Sequence, residues 1–70
     1  MTKEELGNLV GAEIQHRNGN RYKVILVTNL HTSEDRREEY PIHIVYVGEN
    51  GKVWDRTIEK FKKSMTILKK

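Results

Sequence analysis

Two Asn-Gly pairs, Asn18-Gly19 and Asn50-Gly51, punctuate this chain, each between runs of residues suited to β-strands. Asparagine and glycine tolerate the positive φ angles of tight hairpin turns, so each pair signals two adjacent antiparallel strands. Ala12 to Arg17, with Ile14 central, and Arg21 to Thr28 flank the first turn. Ile42 to Gly48 and Lys52 to Arg56 flank the second, and Met65 to Leu68 supplies a fifth short strand. In the second strand Tyr22, Val24 and Leu26 fall on one face by simple alternation, with Ile25 and Val27 on the other. Such a strand is expected to be partly buried on both sides. Ile42, Ile44 and Tyr46 form an alternating stripe that calls for burial.

The chain has 70 residues and no cysteine. That length allows one domain, which buries only about 60% of the surface its unfolded chain exposes. Without disulfides the cytoplasm is the expected compartment. Thr2 to Val10 carries Lys3, Glu4 and Glu5 and lacks the apolar core of a secretory signal. The longest apolar run, Val24 to Val27, is far short of a membrane span, so no membrane partner is expected.

Thr2 followed by Glu5 is a capping-box pair, so residues 1–10 are expected to hold a short helix. Leu6, Leu9 and Val10 would line one face, with Gly11 as the stop. Residues 11–68 carry the strand pattern. Leu30 to Tyr40 interrupts it, and the six consecutive charged residues Glu34 to Glu39 call for an exposed loop over Ser33–Glu39, more mobile than the strands. Pro41 suits the first residue of the next strand. Thr57 can cap a single helical turn reaching Lys63, with Ile58 and Phe61 facing inward. Five short strands, two tight turns and a helical turn before the last strand suit a small, mostly-β, SH3-like barrel, in which closure manages the edge strands. Its expected core includes Ile14, Val24, Leu26, Ile44, Phe61 and Ile67. An OB-like barrel, the alternative, usually needs longer strands.

Several short strings add a resemblance. His16-Arg17-Asn18-Gly19-Asn20-Arg21-Tyr22-Lys23-Val24, then His31-x-x-Glu34, Val45-Tyr46 and Trp54-Asp55-Arg56-Thr57-Ile58-Glu59-Lys60-Phe61 follow one another in order. This series resembles a family of small bacterial and phage domains marked by H-x-K-G-x-x-Y-x-V, a central H-S-E-T, a V-Y pair and W-x-R-P-x-x-x-F. The similarity covers about residues 11–67. Thr57 stands where the family has proline, the central motif carries an inserted residue, and Thr28-Asn29 precede it where alanine is expected. These departures bear on any role of the central loop. The resemblance implies a small β-barrel and carries over no activity. If it extends to a phage origin, the chain would be an accessory protein in the host cytoplasm, bound to a host or phage protein.

No enzyme is expected. Ser33 and Ser64 lack a nucleophile-elbow context, and the carboxylates cluster in the acidic loop among arginines. His16, His31 and His43 lack metal-ligand spacing on one element; His16 and His43 are expected to face solvent or to bond across strands. No metal or cofactor is implied.

Charge is uneven. Residues 52–70 hold seven basic side chains against Asp55 and Glu59, a net of +5, so residues 1–51 sum to −2 within the total of +3. A basic end can favour a polyanion, and lysines equally serve solubility and edge protection. Trp54 and Arg56, two apart on one strand, share a face. Such a pair can anchor a protein interface, or stack on a base and contact a phosphate. It can also be structural, with Trp54 packed on Phe61 and Arg56 paired to a carboxylate. The candidate binding residues are therefore Trp54, Arg56, Lys52, Lys60, Lys63 and Tyr22. The expected function is a non-catalytic protein-interaction module, because the net charge is modest and Glu34–Glu39 would repel phosphates. The alternative is a nucleic-acid-binding SH3-like barrel that uses the basic C-terminal segment.

Overall fold

Both Asn-Gly pairs form turns in the computed structural model, which describes residues 2–69. Gly19 and Gly51 take φ of 97° and 81°, in the left-handed region that glycine occupies without a Cβ clash. The first turn joins β1 (Glu13–His16) to β2 (Arg21–Thr28), and the second joins β3 (His43–Gly48) to β4 (Val53–Thr57). A short helix, α1 (Lys3–Gly7), opens the described chain, and α2 (Ile58–Ser64) leads directly into β5 (Met65–Lys69).

Each helix starts as its sequence dictates. Thr2 and Glu5 close a reciprocal capping box, with the Glu5 amide donating to the Thr2 hydroxyl at 3.1 Å. The Thr57 hydroxyl accepts from the Lys60 amide. Leu6 and Leu9 are buried, whereas Val10, expected beside them, is exposed. α1 ends at Gly7, and the chain turns before Val10 can follow the helical face inward.

The strands form one antiparallel sheet in the order β4-β3-β2-β1-β5. Among the described residues no ladder joins β4 to β5, so the pairing is that of an open five-stranded sheet. The inner face carries Ile14, Val24, Ile44 and Tyr46; Leu6, Leu9, Ala12, Ile42, Phe61 and Met65 complete the core. Ile67, expected there, is only half-buried on the edge strand β5.

Leu26 corrects the simple alternation. It is 43% exposed, while Val27 packs against the core. Val24 pairs with Tyr46 but Leu26 pairs with Val45, so β2 carries an extra residue at Ile25. A β-bulge of this kind reverses which residues face inward beyond it. The outer face consequently presents Ile25, Leu26 and Val53 to solvent.

The acidic segment lies at the Thr28–His43 end of the sheet, where it folds into a short 3₁₀ turn, Glu34–Arg36. It is exposed apart from Arg37. The Arg37 guanidinium donates to the Asn29 carbonyl at 2.7 Å and to the Thr32 carbonyl at 2.8 Å, closing the loop on itself. Pro41 precedes β3 and is not its first residue.

Candidate functional site

Along the inner face of the sheet, register brings aromatic and basic side chains together. Tyr46 on β3 pairs with Trp54 on β4, and Ile44 pairs with Arg56, so Trp54 and Arg56 point to the same face as the core. On the far side, Ile14 pairs with Tyr22 across β1 and β2. His16 shares the inward parity of Ile14. The result is a pocket of about 300 Å³ lined by His16, Asn18, Asn20, Tyr22, Tyr46, Trp54, Arg56 and Met65. No carboxylate lines it. Asn20, Tyr22 and Trp54 also border a second hollow that runs on to Glu49 and Asn50.

The pocket floor is built from the aromatic residues. Tyr22 and Tyr46 meet edge to face, with ring centroids 5.0 Å apart at 72°. Tyr46 is buried, and its hydroxyl accepts a 2.9 Å hydrogen bond from Arg56 Nε. That bond fixes the plane of a half-buried guanidinium. Among the described residues no carboxylate pairs with Arg56; the ion pairs are Arg37 with Glu34 and His43 with Asp55. Trp54 is 50% exposed at the rim. This position departs from a structural role packed on Phe61, which is itself buried in the core.

The wall opposite Arg56 is the first hairpin turn. The His16 amide donates to the Asn20 carbonyl at 2.8 Å, and the Asn20 amide donates to Asn18 Oδ1 at 3.0 Å. The Asn18 amide donates to His16 Nδ1 at 3.1 Å. The Arg17 amide donates to the Ser64 carbonyl at 2.9 Å, tying the turn to the end of α2. His16 Nε2 then lies 3.5 Å from Arg56 Nη2.

Of the residues singled out from sequence, Trp54, Arg56 and Tyr22 come together here. Lys52, Lys60 and Lys63 do not line the pocket: Lys52 precedes β4, and Lys60 and Lys63 are exposed on α2. His16 and Tyr46 were not among the candidates. His16 was expected to face solvent or bond across strands, although its two-residue spacing from Ile14 carried the inward signal. His43 does bond across strands, on the outer face, where its Nδ1 donates to Asp55 Oδ2 at 2.7 Å. A carboxylate oxygen only accepts, so this contact places the proton on His43 Nδ1.

Among the described residues no group of three or more His, Cys, Asp or Glu is placed to hold a metal ion, and no helix is long and apolar enough to cross a membrane. Compared with protein-family models, curated proteins and solved structures, the chain matches none.

Proposed function

We propose that this chain is a non-catalytic binding module that takes single-stranded nucleic acid at the Trp54–Arg56 pocket. The observation that carries the reading is an arginine without a carboxylate partner among the described residues, held by Tyr46 beside a half-exposed indole. A base can stack on the indole while the guanidinium contacts a phosphate. None of Glu34 to Glu39, the acidic stretch that argues against phosphate, lines the pocket. Arg56 pairs with Ile44, one position from the Thr28–His43 end where that stretch leaves the sheet, whereas Tyr22 and Trp54 lie farther from it. Lys52, Lys60 and Lys63 supply long-range attraction in this reading, not contact.

The architecture favoured for this module is an SH3-like barrel. β1 lies between β2 and β5, and α2 alone connects the two edge strands. His16 on β1 and Arg56 on β4 are separated by β2 and β3. On a flat sheet that separation is roughly 14 Å at 4.8 Å per strand. Their 3.5 Å contact therefore favours a strongly curled sheet.

A second reading, protein interaction, rests on the outer face. Ile25, Leu26 and Val53 are exposed there beside half-buried Val45 and Val47, and they offer an apolar patch. A phage or host protein would be the partner.

Fluorescence anisotropy of a labelled mixed-sequence single-stranded oligonucleotide, at several salt concentrations, separates the two readings. The nucleic-acid reading expects saturable binding that weakens with salt, a slope lowered by about 0.7 in Arg56→Ala, and a loss of about 1–3 kcal/mol in Trp54→Ala. No saturable binding at low salt by the folded wild-type chain would remove the nucleic-acid reading and leave the outer face as the candidate surface.

A further inference from the structure

We propose that the His16 ring and the Arg56 guanidinium together form a seat for one oxyanion, held to one side of the pair, which in a nucleic-acid ligand is a phosphodiester oxygen. The source of the oxyanion rests on the function proposed above; the seat itself rests on hydrogen-bond geometry. A neutral imidazole has one acceptor nitrogen and one N–H. The Asn18 amide can only donate, and it points at His16 Nδ1 at 3.1 Å. Nδ1 is therefore the acceptor, and Nε2 carries the proton. Yet Nε2 faces Arg56 Nη2 at 3.5 Å, and a guanidinium nitrogen is also only a donor. Two N–H groups thus converge, and at 3.5 Å an acceptor shared by both sits to one side of the pair.

Neither partner can turn away easily. Arg56 is held through Nε by the Tyr46 hydroxyl at 2.9 Å. His16 is held by the turn it belongs to, through its amide to Asn20 and its ring to Asn18. An acceptor that takes both bonds satisfies this donor pair. An oxygen of phosphate or carboxylate does so, and a negatively charged oxygen makes both bonds charge-assisted. The lining supplies no carboxylate to fill the position from within. Trp54 at the rim places a flat apolar plate next to the seat, so an anion attached to a planar ring satisfies both features at once.

The test uses the full chain in solution. Long-range proton–nitrogen correlation on the wild type assigns the His16 tautomer without any variant. The proton is expected on Nε2, and a proton on Nδ1 in the neutral ring would overturn the seat. Inorganic phosphate is then titrated against chloride at matched ionic strength. His16 Nε2 and the Arg56 Nε–H are expected to shift saturably with phosphate alone, and His16→Phe is expected to weaken that binding about tenfold, the loss of one charge-assisted bond. Equal shifts with chloride, or none with phosphate, would overturn the proposal. A single-stranded oligonucleotide gives the separate arm. If phosphate occupies the seat and the oligonucleotide fails to bind, the seat stands and the nucleic-acid reading fails. If the oligonucleotide binds while phosphate leaves His16 and Arg56 unmoved, the reading stands and the seat fails.

Discussion

Replacing Tyr46 by phenylalanine isolates the bond that orients the arginine. Tyr46 is 3% exposed, and its hydroxyl accepts from Arg56 Nε at 2.9 Å. Phenylalanine keeps the ring, its place in the core and the 5.0 Å edge-to-face contact with Tyr22. Only the hydroxyl is lost. A hydrogen bond to a charged group contributes about 1.5–3 kcal/mol, and an ordinary one about 1 kcal/mol. Arg56 is only half-buried, so its freed Nε reaches water, and the stability cost belongs near about 1 kcal/mol. In a domain of this size that lowers Tm by about 4–8 °C, measurable by circular dichroism. Urea unfolding should give a lower midpoint with an unchanged slope, since the compactness of neither state changes. Binding should suffer separately. An unpinned guanidinium must be immobilised by the ligand, which costs about 0.5–1.5 kcal/mol, or about two- to tenfold in oligonucleotide affinity. A Tyr46→Phe chain with wild-type Tm and wild-type affinity would refute the claim that Tyr46 holds Arg56 in place.

Other consequences concern the scaffold. Ile44→Ala, at a fully buried position, should cost about 2–5 kcal/mol in urea unfolding, and Leu26→Ala only about 1 kcal/mol because much of that side chain already meets water. Equal costs would contradict the bulge at Ile25. Arg37→Ala removes the two bonds that close the segment after β2, so it should destabilise by about 1–2 kcal/mol and speed amide exchange at Thr32, whose N–H bonds the Asn29 carbonyl. Unchanged exchange there would mean that the loop closes without the guanidinium.

What was legible in the sequence is what depends on neighbours in the chain. The capping box at Thr2 and Glu5, the glycine turns, the cap at Thr57 and the five strands all follow from local chemistry and fall within a residue or two of expectation. The bulge was not legible, because it is set by how β2 meets β3, and periodicity alone sends Leu26 inward. The site was half legible. Trp54 and Arg56 share a face by spacing alone, and the tight turn at Asn50-Gly51 makes Tyr46 their neighbour. The approach of His16 to Arg56 joins residues 40 positions apart on strands that do not pair. Tertiary arrangement across four strands sets it, and no local pattern encodes that.

The most direct test of the binding surface is a nitrogen–proton NMR titration of the labelled chain with a single-stranded oligonucleotide. Shifts should concentrate at His16 to Tyr22, at Tyr46 and at Trp54 to Arg56, including the Trp54 indole N–H. Shifts concentrated instead at Ile25, Leu26, Val45 and Val53, or at Glu34 to Glu39, would contradict the assignment of the pocket as the site.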